Sequence, residues 1–305
     1  MTRRSAVRSL TGLAASTLLP PARSQNNPST LRIGGGIIEV HFQSDQFDLP
    51  RKALLDWIST GARAVTAYFG RYPVAHASLE IVMAAGRWGG NINGVTYGDG
   101  GARSRLTVAQ HVTAEQLSRD WVLTHEMVHY AFPSMDREHH WIEEGSATYI
   151  EPIARAQVGN LTVAQVWGDM VRFMPQGLPS EGDQGLDRTH TWARTYWGGA
   201  LYCLLADVRI RRQTGDRKGL VDALRGVVRA GGTIENDWSL ERAFRVGDAA
   251  TGTTVLMSLY KEMAAKPMPV DLPDLWKQLG VRQDGGEVTF NNDAPLAKVR
   301  AAISS

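Results

Sequence analysis

Between Ile37 and Phe42 apolar and polar side chains alternate, which is the two-residue period of a strand with one buried face. Pro50 then opens a helix, in which Ala53, Leu54, Trp57, Ile58, Ala62, Val65 and Phe69 recur at three- and four-residue steps and bury one side. Leu79 to Met83 and Arg105 to Val108 read as two further strands, separated by a Gly-rich loop from Gly86 to Gly101. From Thr113 onward the period is helical, with no further strand expected until Val288-Thr289-Phe290. The pattern predicts an α+β protein: a small mixed sheet with a helix over about 32–112, then a mainly helical part over about 113–305. Residues 25–30 are polar and read as a linker, and nothing inside 25–305 divides the chain into independent domains.

Composition narrows the partners. The chain has 305 residues, 43% hydrophobic and 21% charged, enough to bury a substantial core. Its formal charge of +2 depends on Arg3, Arg4, Arg8 and Arg23; without those four, 29 basic residues face 31 acidic ones, so nucleic acid is not an expected partner. The same arginines precede and follow a short apolar stretch, Leu10 to Leu19, which ends near Ala22-Arg23-Ser24. This is the layout of a signal peptide over residues 1–24, with the paired arginines suggesting the twin-arginine route. The expectation is an exported, periplasmic or secreted protein with no integral membrane segment once the signal is removed. Cys203 is the sole cysteine, so the chain has no internal disulfide, and its apolar neighbours mark it as a small core side chain.

The candidate chemistry lies at His125-Glu126-Met127-Val128-His129, an HExxH sequence. Thr113-Ala114-Glu115-Gln116 resembles a capping box, Pro133 limits the far end, and Leu117, Trp121 and Val128 form an apolar stripe between them. On such a helix His125 and His129 lie one turn apart and can reach one ion, while Glu126 is aimed to contact a water rather than the metal. With 8 His in the chain, chance gives this pattern about once in a hundred such sequences, so a third ligand has to decide. Position 132 is Phe132 and position 135 is Met135, which removes the metzincin pattern. Trp141-Ile142-Glu143-Glu144-Gly145-Ser146-Ala147-Thr148-Tyr149-Ile150-Glu151 offers a Glu on a following helix, with Glu138, His139 and His140 as weaker alternatives read as solvated loop residues. Thr148 and Glu151 share a face with Glu144 and are candidates to orient a ligand, and Pro152 is expected to bend or end that helix.

The block from Trp141 to Glu151 resembles the Trp-Leu-Asn-Glu-Gly-Phe-Ala-Ser-Tyr block of the aminopeptidase N-like and glycyl aminopeptidase families, members of the gluzincin zinc metallopeptidases with a thermolysin-like catalytic core. The resemblance implies that Glu144 is the third zinc ligand, beside His125 and His129, and that one zinc ion is the cofactor. Glu143 stands at the Asn position and Ser146 at the Phe position, and the connection from His129 to Glu144 is shorter than in those families. A second block, Thr195-Tyr196-Trp197-Gly198-Gly199-Ala200-Leu201, is similar to their Tyr-x-Lys-Gly-Ala segment, which implies that Tyr196 donates to the oxyanion; His190 and Arg194 are fallback donors. The Gly-x-Met-Glu-Asn segment that binds a free α-amine in the aminopeptidase N-like enzymes has no Glu in its counterpart here, Gly89 to Gly98, although Asp99 follows. The glycines would instead let an extended peptide add as a strand. The expectation is hydrolysis of a peptide or protein substrate, with Glu126 as general base. The alternative is a catalytically silent gluzincin-like domain that binds peptides or an envelope partner.

Overall fold

The computed structural model of the chain describes residues 28–85 and 92–305; the expected signal peptide and the first part of the Gly-rich loop, residues 86–91, lie outside them. The N-terminal half forms a five-stranded mixed sheet from β1 (Ser29–Ile33), β2 (Gly36–Phe42), β3 (His76–Ala84), β4 (Asn93–Tyr97) and β5 (Ala102–Ala109), in the order β1-β2-β3-β5-β4. β2, β3 and β5 run parallel, and the two edge strands pair antiparallel with their neighbours. The alternation read from the sequence holds: Ile38, Val40, Leu79, Ile81, Leu106 and Val108 are all buried. Helix α1 (Arg51–Phe69) connects β2 to β3, with Pro50 at its N-cap and Gly70 ending it in the left-handed conformation.

The helical half contains α2 (Ala114–Arg119), α3 (Val122–Val128), α4 (His140–Gln157), α5 (Val163–Phe173), α6 (Gly199–Thr214), α7 (Leu220–Arg229), α8 (Leu240–Thr251), α9 (Val255–Met263), α10 (Leu272–Leu279) and α11 (Ala297–Ile303). α1 packs against both α3 and α4, and one hydrophobic core runs through the two halves, joining Ile38 and Leu79 of the sheet to Ile150 and Leu201 of the helices. Among the described residues no helix is long and apolar enough to cross a membrane.

Several local expectations are corrected. The linker and the Gly-rich loop each contain part of an edge strand, β1 and β4, and β6 (Val281–Asp284) forms a hairpin with β7 (Glu287–Phe290), so a strand appears before residue 288. The capping box at Thr113 is present, but its helix stops at Asp120, which is extended (φ −64, ψ 134). The Asp120 carboxylate then accepts from the backbone N–H of Val122 and Leu123, both at 3.1 Å, and starts α3 afresh. The restart turns Trp121 out of the expected stripe and leaves it half exposed. Pro152 does not end α4, which continues to Gln157.

Candidate metal centre

Two glycines bring the site together. A Cβ on Gly145 of α4 would lie 2.3 Å from the backbone of Gly199, and a Cβ on Gly199, at the start of α6, would lie 2.0 Å from the Trp141 carbonyl oxygen. Both distances are shorter than any tolerated contact, so α4 and α6 cross backbone on backbone here. Gly145 follows Glu144 directly, and Gly199 is preceded by the π-helical turn Arg194–Gly198 that carries Tyr196. The crossing therefore sets Tyr196 beside Glu144.

His125 lies in α3, and His129 opens the 3-10 turn His129–Ala131 that follows it. The Nε2 of His125 lies 3.0 Å from Glu144 Oε2, and that of His129 lies 3.7 Å from the same oxygen. One donor atom from each of the three residues falls within 4.8 Å of the others. Tetrahedral zinc with bonds of about 2.0–2.1 Å requires ligand atoms separated by roughly 3.3 Å, and the two measured separations bracket that value. Protonation states also suit a metal: burial, then the neighbouring His125, lowers the His129 pKa to about 4, which leaves a neutral imidazole with a free lone pair. Burial pushes the Glu144 carboxyl up, but the His125 hydrogen bond and the nearby imidazoles outweigh it and hold the group ionised. These three side chains could hold a zinc ion.

Glu126 is buried beside them under the edge strand β4. A Cβ on Gly94 would lie 2.4 Å from Glu126 Cγ, so glycine is required for the strand to lie this close. Thr96, two residues on, donates its hydroxyl to Glu126 Oε2 at 2.6 Å. Thr96 Oγ1 is also 2.8 Å from Ser104 Oγ, which in turn meets the Tyr130 hydroxyl. Because an ionised Glu126 can only accept, the donors must run from Tyr130 through Ser104 and Thr96 to Glu126. Burial raises the Glu126 pKa, the Thr96 hydrogen bond opposing it, which gives a carboxylate better matched to proton transfer near neutral pH. Sequence reasoning missed Thr96, Ser104 and Tyr130. Only Tyr130, adjacent to His129, had a position that could have drawn attention.

The Tyr196 ring stacks between Trp192 (5.4 Å, 23°) and His125 (6.1 Å, 15°). Burial and the adjoining Glu144 carboxylate raise its hydroxyl pKa, so it stays protonated and able to donate. Of the fallback donors, His190 is exposed, and Arg194 is buried in an ion pair with Asp183 at 2.7 Å while also donating to the Gly177 carbonyl.

The alternative ligands are occupied elsewhere. Glu143 accepts from the Met135 N–H (3.2 Å) and pairs with His140 (3.1 Å). Glu138 is exposed. His139, expected to be solvated, is buried, with Nδ1 3.1 Å from Asp187. His140 Nε2 lies 3.4 Å from Glu144 Oε1, so it borders the site without joining the three donors. Neither expected orienting residue holds a ligand directly. Glu151 pairs with Arg155 at 2.9 Å, burial pushing its pKa up to about 7, while the Thr148 hydroxyl and His125 Nδ1 are buried with no protein partner. Cys203 is buried and burial raises its thiol pKa, in keeping with a core role.

A cavity of 750 Å³ opens beside His125 and Tyr196, between α4, α5 and the π-helical turn.

No family model matches the chain, and no curated protein matches it. Solved structures do share its fold. An aminopeptidase N family protein from Idiomarina loihiensis aligns with a TM-score of 0.61 at 12% identity, covering 88% of this chain and 53% of its own. An M1 zinc metallopeptidase mutant from Deinococcus radiodurans aligns with a TM-score of 0.51 at 16% identity, covering 80% of this chain and 53% of its own. Another structure of that enzyme, bound to a Tyr-Ser-Ala substrate, gives 0.50 at 15% identity over 79% and 52%. This chain spans about half the length of these proteins and has the fold of that half.

Proposed function

We propose that this chain is a zinc-dependent peptidase in which His125, His129 and Glu144 hold the metal. The observation that carries the proposal is the convergence of two imidazoles, that of His129 held neutral, and one ionised carboxylate on a single point, with the separate carboxylate of Glu126 beside them. A purely structural ion site has no use for that fourth group. The zinc metallopeptidases of similar fold, one of them solved with a tripeptide substrate, agree with this reading.

Zinc bound there supplies a Lewis acid for the scissile carbonyl and lowers the pKa of a water molecule. Glu126 takes the proton of the attacking water and passes it to the leaving amine, its Oε2 fixed by Thr96. Tyr196 donates its hydroxyl to the oxyanion, with its ring held flat between Trp192 and His125. β4 is the last strand of the sheet, and its Val95 and Tyr97 are exposed, so an extended peptide can pair along it with its scissile bond near Glu126.

The substrate need not carry a free amine. The stretch from Gly89 to Gly98 carries no glutamate, and Asp99, the one acidic residue close after β4, is exposed. Export belongs to the same proposal and rests on the basic and apolar pattern of residues 1–24. Digestion of a peptide library by the purified, zinc-loaded protein tests the activity. Cleavage of both free and N-acetylated peptides is expected, whereas loss of all cleavage on acetylation would restore an aminopeptidase. Mass spectrometry of the native protein is expected to find a new N-terminus between about residues 22 and 30; an intact Met1 would refute export.

A further inference from the structure

The two most exposed large apolar side chains among the described residues, Trp121 (50%) and Trp192 (61%), both stand on the rim of the cavity beside His125. Neither is loose. Trp121 meets the His125 ring edge-on at 5.3 Å, and Trp192 stacks on Tyr196 at 5.4 Å. On the same wall Trp197 and Phe173 lie 5.4 Å apart, and the exposed Asp169, one turn before Phe173 on α5, lines the same space. Aromatic rings and an exposed carboxylate lining one cavity form a box suited to a cation on an apolar stem.

The charges of the lining point the same way. Arg155 is taken by Glu151 at 2.9 Å, and Arg119 by Glu115 at 2.7 Å. Among the described residues Asp169 has no hydrogen bond and no ion pair within 4 Å; Arg155 and Arg172 influence it only at longer range, and Arg172 rests over the Phe173 ring. Asp169 is thus the one formally charged carboxyl of the cavity still without a counter-ion. A purely aromatic side chain would satisfy the walls without using Asp169, while an acidic one would meet it with like charge.

We propose that this cavity is the subsite for a basic side chain, arginine or lysine, on a residue flanking the scissile bond. The proposal rests on the peptidase reading above and names its substrate class. The volume of 750 Å³ lies within the range of about 300–1,000 Å³ typical of ligand sites. Asp169 sits on the exposed side of α5, away from the metal-binding helices, so its substitution leaves the core intact.

Peptide-library digestion with the zinc-loaded wild type, Asp169→Asn and Asp169→Lys is the test. The wild type is expected to favour Arg or Lys over Leu at one position beside the cut by roughly tenfold, the combined effect of a cation–π contact and a partly exposed ion pair. Asp169→Asn is expected to reduce that ratio severalfold, and Asp169→Lys to turn it toward Glu. Cleavage without a basic preference, or a preference that both variants leave unmoved, overturns the subsite. If the loaded wild type cleaves no peptide, the peptidase reading fails instead. Tryptophan fluorescence then decides the subsite alone: an arginine peptide must quench more than its norleucine analogue, with the difference lost in Trp192→Phe, and equal quenching refutes it.

Discussion

The sheet half and the helical half of this protein hold their residues in different ways. In the sheet, β2, β3 and β5 keep strict register, and most of their inward residues fill the core. In the helical half, His125, Glu126 and Glu144 lie on regular helices, but breaks in regular structure adjoin them and carry the other candidate groups. Asp120 interrupts one helix to start another, His129 begins a 3-10 turn, and Tyr196 lies in a π-helical turn. The sheet takes part mainly at the short edge strand β4, through Gly94 and Thr96, with Ser104 of β5 behind Thr96. Reactive side chains need aim as well as burial, and departures from helical period supply directions that a continuous helix cannot.

The comparison breaks most visibly at Glu126. Glu126→Gln removes the proton acceptor while keeping its shape, and peptide hydrolysis is expected to fall about 100- to 10,000-fold with an unchanged melting temperature. Residual activity near the wild-type rate would show that another group serves as base. Tyr196→Phe keeps the ring stacked and deletes one donor, for which a loss in kcat of roughly 100- to 1,000-fold is expected, with KM little altered. A rise in KM alone would make the hydroxyl a binding group.

Gly199→Ala tests the geometry rather than the chemistry. Its methyl would meet the Trp141 carbonyl at 2.0 Å, so unfolding by denaturant should show a loss of roughly 2–4 kcal/mol, typical of a severe core clash. A stable variant would mean that α4 and α6 can separate, and that Tyr196 is not fixed by their crossing.

The smallest effect concerns Asp187, which accepts from His139, Trp141 and Tyr260 and ties the start of α4 to α9. Burial opposes ionisation of both partners, yet the hydrogen bonds lower the Asp187 pKa and the Asp187 carboxylate raises that of His139. A raised His139 contributes stability that is full below its unfolded value near 6.5 and fades as pH rises through the folded one. A lowered Asp187 contributes stability that is full above about 4 and fades as pH falls. The pair is therefore strongest between about pH 4 and 6.5, and Asp187→Asn should cost about 1–2 kcal/mol there, with a smaller loss above pH 8. An equal loss at both pH values would leave His139 out of the pair.

These same breaks mark where the sequence was readable. β2, α1, β3 and β5 follow a simple hydrophobic period, and so did the helical character of the rest. The edge strands did not: Asn93-Gly94-Val95-Thr96-Tyr97 carries residues that look like a loop, because its ladder partner supplies the order. The end of α2 at Asp120 was hidden because an aspartate that caps one helix also fits inside another. His125, Glu126 and His129 announced themselves by spacing, whereas Glu144 and Tyr196 needed the family resemblance. Thr96 and Ser104 lie at register partners in the sheet and far from the motif in sequence, so only the folded chain joins them to Glu126.

The central claim is that two glutamates have separate tasks, and zinc content after equilibrium dialysis tests it most directly. Wild type and Glu126→Gln are expected to retain one zinc per chain. Glu144→Gln replaces a charged ligand oxygen with a neutral amide, so it should hold less than one and recover part of its metal as zinc is raised. Loss of zinc from Glu126→Gln together with full retention by Glu144→Gln would contradict the account and remove Glu144 from the metal site.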